Sequence, residues 1–127
     1  MVPVDGSKYN DKAIDVAIEI ASKFNSNVIA VHVLNEFSIN NYNDEEDRGN
    51  EILTNVLKKA EDKNVPATEH LVTGDPLRDM KTIIQKTGAD LVVISSLGSD
   101  NKDDSYDFGS VANRVLNSSD IPILLIK

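Results

Sequence analysis

Residues 89–127 of the chain read ADLVVISSLGSDNKDDSYDFGSVANRVLNSSDIPILLIK. An apolar run at 91–94 is followed by a polar loop, by Gly109 and Ser110 at the start of a helical pattern, and by a second apolar run at 121–126. Short apolar runs separated by a helical segment are typical of parallel strands that helices cover on both faces. The stretch therefore predicts a strand-helix-strand unit of an α/β fold.

The rest of the chain repeats this alternation. Residues 2–4 and 28–34 are nearly continuous apolar runs, which predict central strands, whereas residues 67–72 mix polar and apolar side chains and predict an edge strand. Parallel strands joined through helices cross over right-handedly, so the order β-α-β-α-β-α-β-α-β predicts an open doubly wound sheet. We expect one α/β domain over residues 1–127, with five parallel strands in the order 3-2-1-4-5 and helices on both faces.

Capping residues predict both ends of the third helix, whereas the composition before the second helix is ambiguous. The third helix is expected to start with Asp75 as N-cap and Pro76 at its first position, and to end at Gly88. The acidic, Asn-rich residues 40–50 precede the second helix, and their composition favours a mobile loop or a frayed first turn. The sequence therefore leaves open where within or after this segment the second helix starts.

The apolar period predicts which faces of the first and fourth helices are buried. Either Ser7 or Asn10 is expected to be the N-cap of the first helix. The stripe of that helix that faces the sheet is expected to consist of Ala13, Val16, Ala17, Ile20 and Phe24. The fourth helix is expected to bury Val111, Val115 and Leu116.

The composition narrows the classes of function. The chain has 127 residues, a net charge of −8 and no cysteine. Scattered carboxylates oppose binding to a phosphate backbone, so we expect no nucleic-acid partner. The lack of cysteine excludes disulfides, thiol catalysis and Cys-ligated zinc. No apolar stretch is long enough to span a membrane and no signal-peptide pattern opens the chain, so we expect a cytoplasmic protein with no membrane partner.

Two polar segments are expected to meet at one end of the sheet. In the expected strand order the winding reverses between strands 1 and 4, and ligands bind in the crevice at the carboxyl ends of these strands. Residues 5–7 and residues 98–110 follow those two strands. The N-terminus of the fourth helix attracts an anion, whereas the carboxylates of the loop before it repel one. Four acidic side chains oppose a single Lys102 there: Asp100, Asp103, Asp104 and Asp107.

Six short segments, in order along the whole chain, resemble the universal stress protein family. They are residues 2–7 (VPVDGS), 31–33 (VHV), 74–76 (GDP), 89–93 (ADLVV), 109–111 (GSV) and 121–125 (IPILL). The resemblance implies an α/β fold of the kind derived above and, commonly, a homodimer. It also implies a family divided between members that bind ATP and members that do not.

In the ATP-binding members of that family the phosphate loop has the pattern G-x-x-G, nine further residues, then G followed by S or T. When Gly109 and Ser110 are matched to the end of this pattern, Ser96 and Ser99 stand at the first two glycine positions, and Gly98 is one residue out of register. Glycine lets the backbone approach phosphate oxygens closely, so the serines weaken the site. By this resemblance the adenine side is lined by Pro3, Val4, Asp5 and Val33, and the phosphate side by Ser96, Gly98, Ser99, Gly109, Ser110 and Val111.

Simpler roles compete at several positions. Asp5 can cap the turn after strand 1 instead of contacting a ligand. His32 and His70 have no carboxylate or cysteine at ligand spacing, so both are expected to be structural. The acidic loop lacks the offsets of an EF-hand, and a solvated loop is favoured over a metal site, although magnesium carried by a nucleotide would make use of its charges. No nucleophile with a matching base can be assembled from the sequence, so no catalytic residue is assigned and a function without catalysis is favoured.

Three functions follow, in order of preference. The first is a dimeric stress-response regulator with a degenerate nucleotide site that binds ATP weakly or not at all, and with an unidentified protein partner. The second is a switch that binds ATP or AMP with magnesium, and the third is a nucleotide hydrolase.

Residues 121–126 are apolar on both faces and lie at a sheet edge in the expected order. We therefore expect a homodimer through this strand, with Ile123 and Leu125 or their neighbours in contact.

Overall fold

Strands and helices alternate strictly in a computed structural model, which describes residues 1–37, 42–101 and 108–127. The strands are β1 (Val2–Pro3), β2 (Val28–Asn35), β3 (Ala67–Gly74), β4 (Val92–Ser95) and β5 (Ile123–Ile126). The helices are α1 (Asn10–Lys23), α2 (Tyr42–Asp62), α3 (Pro76–Thr87) and α4 (Ser110–Ser118). The expected α/β class is confirmed. Within the described ranges, no helix is both long enough and apolar enough to cross a membrane.

All strand pairs are parallel and form two ladders, β1-β2-β3 and β4-β5. These are the neighbours expected in the order 3-2-1-4-5, and β3 is the expected edge strand beside β2. β1 and β4 lie next to each other through Met1, whose carbonyl accepts the Val93 N–H at 2.9 Å and whose terminal ammonium donates to the Leu91 carbonyl at 2.8 Å. The two ladders therefore meet at the point where the winding reverses.

Two helices cover each face of the sheet, as expected. One apolar cluster joins α1 and α2 to the face that carries Val93, and a second joins α3 and α4 to the face that carries Val92 and Ile94. Successive side chains of a strand point to opposite faces, so three consecutive residues of β4 contribute to both clusters. Because both faces are covered, the central strands are apolar throughout.

The ends of α3 are where the sequence predicted them. The Asp75 carboxylate accepts the Leu77 N–H at 2.8 Å and the Arg78 N–H at 3.4 Å, as an N-cap does. Pro76 occupies the first helical position, where no N–H is needed, and Gly88 ends the helix with φ of 67°.

Three expectations about the other helices were wrong. Of the expected α1 stripe, Ala13 and Ala17 are buried and Val16 and Ile20 pack against the core, but Phe24 is 76% exposed. The buried face also includes Ile14, Ile18 and Ala21, because α1 packs against α2 as well as the sheet. Its N-cap is Tyr9, so neither Ser7 nor Asn10 has that role. In α4, Leu116 is 39% exposed and Ala112 is buried in its place.

The sequence left open whether residues 40–50 form a loop or the first turn of the second helix, whereas in the structure α2 already begins at Tyr42. Gly49 explains this difference. A Cβ at Gly49 would lie 2.7 Å from Leu71 Cδ1 and 2.9 Å from His32 Cδ2, so the helix backbone lies directly on β2 and β3 there. Packing against the sheet stabilises an acidic segment whose composition alone favours a loop.

The buried side chain of Asn10 connects the ends of the two ladders. Its Oδ1 accepts the N–H groups of Asp5 at 2.7 Å and Gly6 at 3.1 Å, and its Nδ2 donates to Ser95 Oγ at 3.1 Å. Ser95 Oγ in turn donates to the Leu97 carbonyl at 2.8 Å. One amide group therefore sets the position of the turn after β1 relative to the carboxyl end of β4.

A substitution at Leu53 tests how the core between α2 and the sheet is packed, because the Leu53 side chain has 0% exposure. We expect Leu53→Ala to lower the free energy of unfolding by about 2–5 kcal/mol, through lost burial and a residual cavity. Leu116→Ala, at a position 39% exposed, is the matched control and should lower it by less than about 1 kcal/mol. Urea denaturation of both variants measures the difference; equal effects would contradict the assigned core.

Asn10 tests the connection between the ladders. We expect Asn10→Ala to lower the free energy of unfolding by about 1–3 kcal/mol, because two backbone donors and a hydroxyl lose a buried partner. Asn55→Ala, at an exposed position of α2, removes the same group where alanine favours the helix, so its effect should stay within about 0.5 kcal/mol. Thermal and urea denaturation compare the two variants. A loss at Asn10 no larger than the loss at Asn55 would mean that the amide is dispensable.

Candidate functional site

A crevice of 460 Å³ opens at the carboxyl ends of β1 and β4, between the turn after β1 and the N-terminus of α4. This is the position that an open doubly wound sheet offers to a ligand. One part of its wall is apolar and is formed by Pro3, Val31, Val33, Leu77, Met80 and Ile94. The opposite part is polar and is formed by the turn after β1, the segment after β4 and the start of α4.

The structure brings together nine of the ten residues that the resemblance assigned to the site. They are Pro3, Val4, Asp5, Val33, Gly98, Ser99, Gly109, Ser110 and Val111. Ser96 is buried beneath the wall, at 8% exposure, and its carbonyl accepts the Gly109 N–H at 2.7 Å. The backbone of Ser96 thus holds the start of α4 against the end of β4. Of the acidic loop, Asp100 is described, whereas Asp103, Asp104 and Asp107 lie outside the described residues, as does Lys102.

Asp5 caps the turn after β1, as the sequence suggested, and its second carboxylate oxygen has a backbone partner beyond that turn. Its Oδ1 accepts the N–H of Ser7 at 2.9 Å, which caps the turn after β1. Its Oδ2 accepts the N–H of Ser99 at 2.6 Å, across the crevice. The carboxylate therefore joins the two polar segments, and it lines the crevice as well.

Gly98 and Gly109 are glycines for a steric reason. A Cβ at Gly98 would lie 2.8 Å from Asp5 Oδ2, and a Cβ at Gly109 would lie 3.3 Å from the Gly98 nitrogen. The backbones of the segment after β4 and of the α4 start approach each other directly. Gly98, which was one residue out of register in the sequence pattern, is thus the residue that makes the close approach to Asp5.

Asp100 caps the N-terminus of α4 from the preceding loop. Its Oδ2 accepts the Ser110 hydroxyl at 2.5 Å and the Ser110 N–H at 3.3 Å. These hydrogen bonds, the hydroxyl first, hold the pKa of the Asp100 carboxyl below its usual range despite partial burial. The group is consequently an anion at neutral pH, placed at the positive end of the helix dipole.

The rim beside α3 is fixed by an ion-pair network. The Arg78 guanidinium contacts Glu36 Oε1 at 2.9 Å and Asp79 Oδ2 at 2.7 Å, which joins the end of β2 to α3. The hydrogen bond from Arg78, followed by that from the Asp75 N–H, lowers the pKa of Asp79 to about 2. The N-terminus of α3, with Asp75 and Pro76, is thereby held at the mouth of the crevice.

Sequence reasoning missed several residues of the wall. Asn10, Glu45 and Arg48 line the crevice, as do Asp75 and Met80. Asp75 was recognised only as a cap of α3, and Asn10 only as a candidate cap of α1. Glu45 and Arg48 lie in the segment expected to be a loop, so no sequence signal placed them at the site.

The charge of the wall is strongly unbalanced. Among the described lining residues, Arg48 is the single cation, and the anions are Asp5, Glu45, Asp75 and Asp100. His32 also lines the crevice, but it is a buried residue whose Nδ1 lies 2.8 Å from the Val4 carbonyl, and this contact gives it a structural role. An anionic ligand of high charge is repelled by such a wall.

The same residues offer little to a catalytic reaction. Ser110 is the hydroxyl nearest to a carboxylate, but its partner Asp100 has a lowered pKa and is therefore a weak base. Within the described part of the chain there is no group of three His, Cys, Asp or Glu side chains arranged to hold a metal ion. The wall can bind and orient a small molecule with an apolar ring and polar substituents.

Comparison with known proteins agrees with this geometry. The model of the universal stress protein family matches residues 1–127. The chain is 28% identical over 137 residues to universal stress protein MJ0531 of Methanocaldococcus jannaschii, across 100% of this chain and 80% of that protein. The solved universal stress protein from Archaeoglobus fulgidus has a TM-score of 0.83 at 23% identity, over 99% of this chain and 96% of that one. The Archaeoglobus fulgidus protein in complex with dAMP has a TM-score of 0.80 at 23% identity, over 99% and 94%. Since the family model covers the whole sequence, the chain belongs to the universal stress protein family.

Proposed function

We propose that this chain is a stress-response regulator that binds a small adenine nucleotide in the crevice, binds ATP only weakly and works without catalysis. The charge of the wall is the observation that supports this most, because four carboxylates and one guanidinium line the crevice among its described residues. A ligand with one phosphate meets far less repulsion there than a triphosphate with a charge of about −4.

The apolar part of the wall supports an aromatic base as the other half of the ligand. Val33 of β2 and Leu77 and Met80 of α3 line the same crevice. Such a surface suits a planar ring, while nearby backbone groups supply orientation. The related Archaeoglobus fulgidus protein was solved with dAMP, which has an adenine base and one phosphate.

Two features of the polar part oppose ATP. Repulsion between a triphosphate and the wall carboxylates at ~8–10 Å amounts to about 1 kcal/mol or more at moderate ionic strength. The Ser99 N–H, a candidate phosphate donor, already donates to Asp5. Losing one charge-assisted hydrogen bond weakens binding by about 1.5–3 kcal/mol. Together these terms weaken ATP binding by roughly a hundred- to a thousandfold relative to a site with an open Ser99 N–H and no wall carboxylates.

A magnesium-dependent ATP or AMP switch is the second candidate. The same wall charge favours it, since a divalent cation between the phosphates and the carboxylates would turn repulsion into attraction. A nucleotide hydrolase is less well supported, because the lowered pKa of Asp100 makes it a poor base for Ser110.

The free edge of β5 supports a homodimer. In the described part of the chain β5 pairs with β4 alone, which leaves its other edge for a second copy. Ile123 and Leu125 pack into the cluster under α3 and α4, whereas Leu124 is 37% exposed. Leu124 is therefore the side chain of residues 121–126 that we place at the centre of the interface. A two-fold axis would bring β5 of each copy together as antiparallel strands.

The wall charge is tested by nucleotide titrations. We expect AMP to bind more tightly than ATP, by about tenfold without magnesium, and magnesium to reduce this difference. Glu45→Gln should tighten ATP binding about threefold, because it removes one carboxylate from the wall. Glu51→Gln, on the same helix but outside the crevice wall, is the matched control and should leave ATP binding unchanged. Calorimetry gives the affinities, and tight binding of ATP without magnesium would refute the charge argument.

The interface is tested by a pair of equally exposed leucines. Leu124→Glu is expected to give a folded monomer, because it places a charge on an apolar strand edge. Leu116→Glu, at 39% exposure on α4, should remain dimeric. Sedimentation velocity reports the mass and circular dichroism the fold. A wild-type monomer, or a dimer that survives Leu124→Glu, would exclude this interface.

A further inference from the structure

Three backbone N–H groups lie where the segment after β4 meets the start of α4, and we call this part of the crevice the polar corner. All three already donate to oxygen atoms of the protein itself. Ser99 N–H donates to Asp5 Oδ2 at 2.6 Å, Gly109 N–H to the Ser96 carbonyl at 2.7 Å and Ser110 N–H to Asp100 Oδ2 at 3.3 Å. The Ser110 hydroxyl also donates to Asp100, at 2.5 Å. Two of these three acceptor groups are carboxylates, which present to the donors the same kind of anionic oxygen as a phosphate.

We infer that Asp100 is a specificity-determining residue: its carboxylate occupies the anion position at the N-terminus of α4, so the crevice prefers adenine ligands with one phosphate or none over ATP. The inference rests on the proposed binding of an adenine ligand in this crevice and names the class of ligand that the site prefers. Asp100 acts as a built-in anion that a phosphate group has to displace.

The contacts of Asp100 place its carboxylate in competition with a phosphate at the start of α4. A phosphate that binds there through Ser110 would use its N–H and hydroxyl, and both donate to Asp100 Oδ2. The carboxylate is ionised at neutral pH, because its hydrogen bonds with Ser110 lower its pKa. Displacing it would leave an unpaired anion beside the incoming anion, and the two would repel each other.

The neighbouring residues hold this arrangement closed. Gly98 packs against Asp5 so closely that a Cβ there would lie 2.8 Å from Asp5 Oδ2, and the same Cβ would lie 3.5 Å from Asp100 Oδ1. The Asn101 N–H donates to the Gly98 carbonyl at 3.0 Å, which turns the chain at Asp100. The two carboxylates therefore lie on either side of Gly98, and the corner has no free donor among Ser99, Gly109 and Ser110. Val33, Leu77 and Met80, which we propose as the contacts of the base, have no part in these hydrogen bonds.

A purely structural cap would behave differently from a competing anion. Removing a cap lowers the stability of the helix, by about 0.5–2 kcal/mol for an N-cap side chain. It does not change the relative affinities of ligands that differ only in phosphate. The ratio of the ATP and adenosine affinities is therefore the measurement that separates the two roles.

The experiment compares Asp100→Ala and Asp100→Asn with the wild type and with Asp62→Asn, a charge control at an exposed position of α2 outside the crevice wall. Adenosine and ATP are titrated without magnesium by calorimetry. We expect the wild type to bind adenosine about tenfold more tightly than ATP, and Asp100→Ala to tighten ATP about tenfold while adenosine changes less than about twofold. Asp100→Asn keeps the size of the side chain and an acceptor oxygen, so it should retain the fold and give an intermediate gain. Asp62→Asn should give no gain.

Inorganic tripolyphosphate provides a second readout that does not depend on the proposed contacts of the base. It should raise the melting temperature of Asp100→Ala and leave that of the wild type unchanged. If both Asp100 variants keep the wild-type ratio of ATP to adenosine affinity, Asp100 is a structural cap and the inference is wrong. If tripolyphosphate stabilises Asp100→Ala but no variant binds adenosine or ATP, the anion position is supported and the proposed nucleotide function fails. If neither anions nor adenine ligands bind any variant, both are overturned.

Discussion

The hydrogen bonds of the Asn10 amide hold the crevice in its shape. In the described residues β1 and β4 share no ladder, and the segments after their carboxyl ends are connected by this side chain and by the Asp5 carboxylate, which accepts the Ser99 N–H. A buried amide that gives up water has to find partners of its own. Asn10 finds them in two backbone N–H groups of the turn after β1 and in the hydroxyl of Ser95. The size of this amide group therefore contributes to the distance between the turn after β1 and the segment after β4, which are the two sides of the crevice.

Two carboxylates bridge the polar segments at this end of the sheet. Asp5 reaches from the turn after β1 to the Ser99 N–H, and Asp100 reaches from the loop to the start of α4. Each contact satisfies a donor that would otherwise need water or a ligand, so each stabilises the corner. Each also adds a negative charge where a phosphate would bind. Stability of the corner and affinity for polyphosphate are therefore opposed in this chain, and the surrounding wall, with Arg48 as its described cation, does not reverse that balance.

Features that depend on neighbours in the sequence were predictable. Asp75, Pro76 and Gly88 define the ends of α3 because capping involves only adjacent backbone groups. The layers and the sheet neighbours followed from apolar runs and right-handed crossovers. Nine of ten assigned site residues line one crevice because they lie near the carboxyl ends of β1 and β2, follow β4 or begin α4. What the sequence left open depends on distant contacts: Gly49 allows α2 to lie on the sheet, which extends the helix to Tyr42 and brings Glu45 and Arg48 into the wall.

The sequence by itself determined the parallel α/β fold and the end of the sheet at which the crevice lies, since apolar periodicity and chain order carry that information. It also identified Gly109 and Ser110 as the helix start at that site. Only the tertiary structure decided what fills the site. The sequence shows an excess of acidic residues in one loop, but not which carboxylate caps α4, because that depends on how the backbone turns at Gly98 against Asp5. Hydrogen bonds between Asp5 and Ser99, 94 residues apart, and between Asp100 and Ser110 convert a general negative charge into two fixed anions at defined donors.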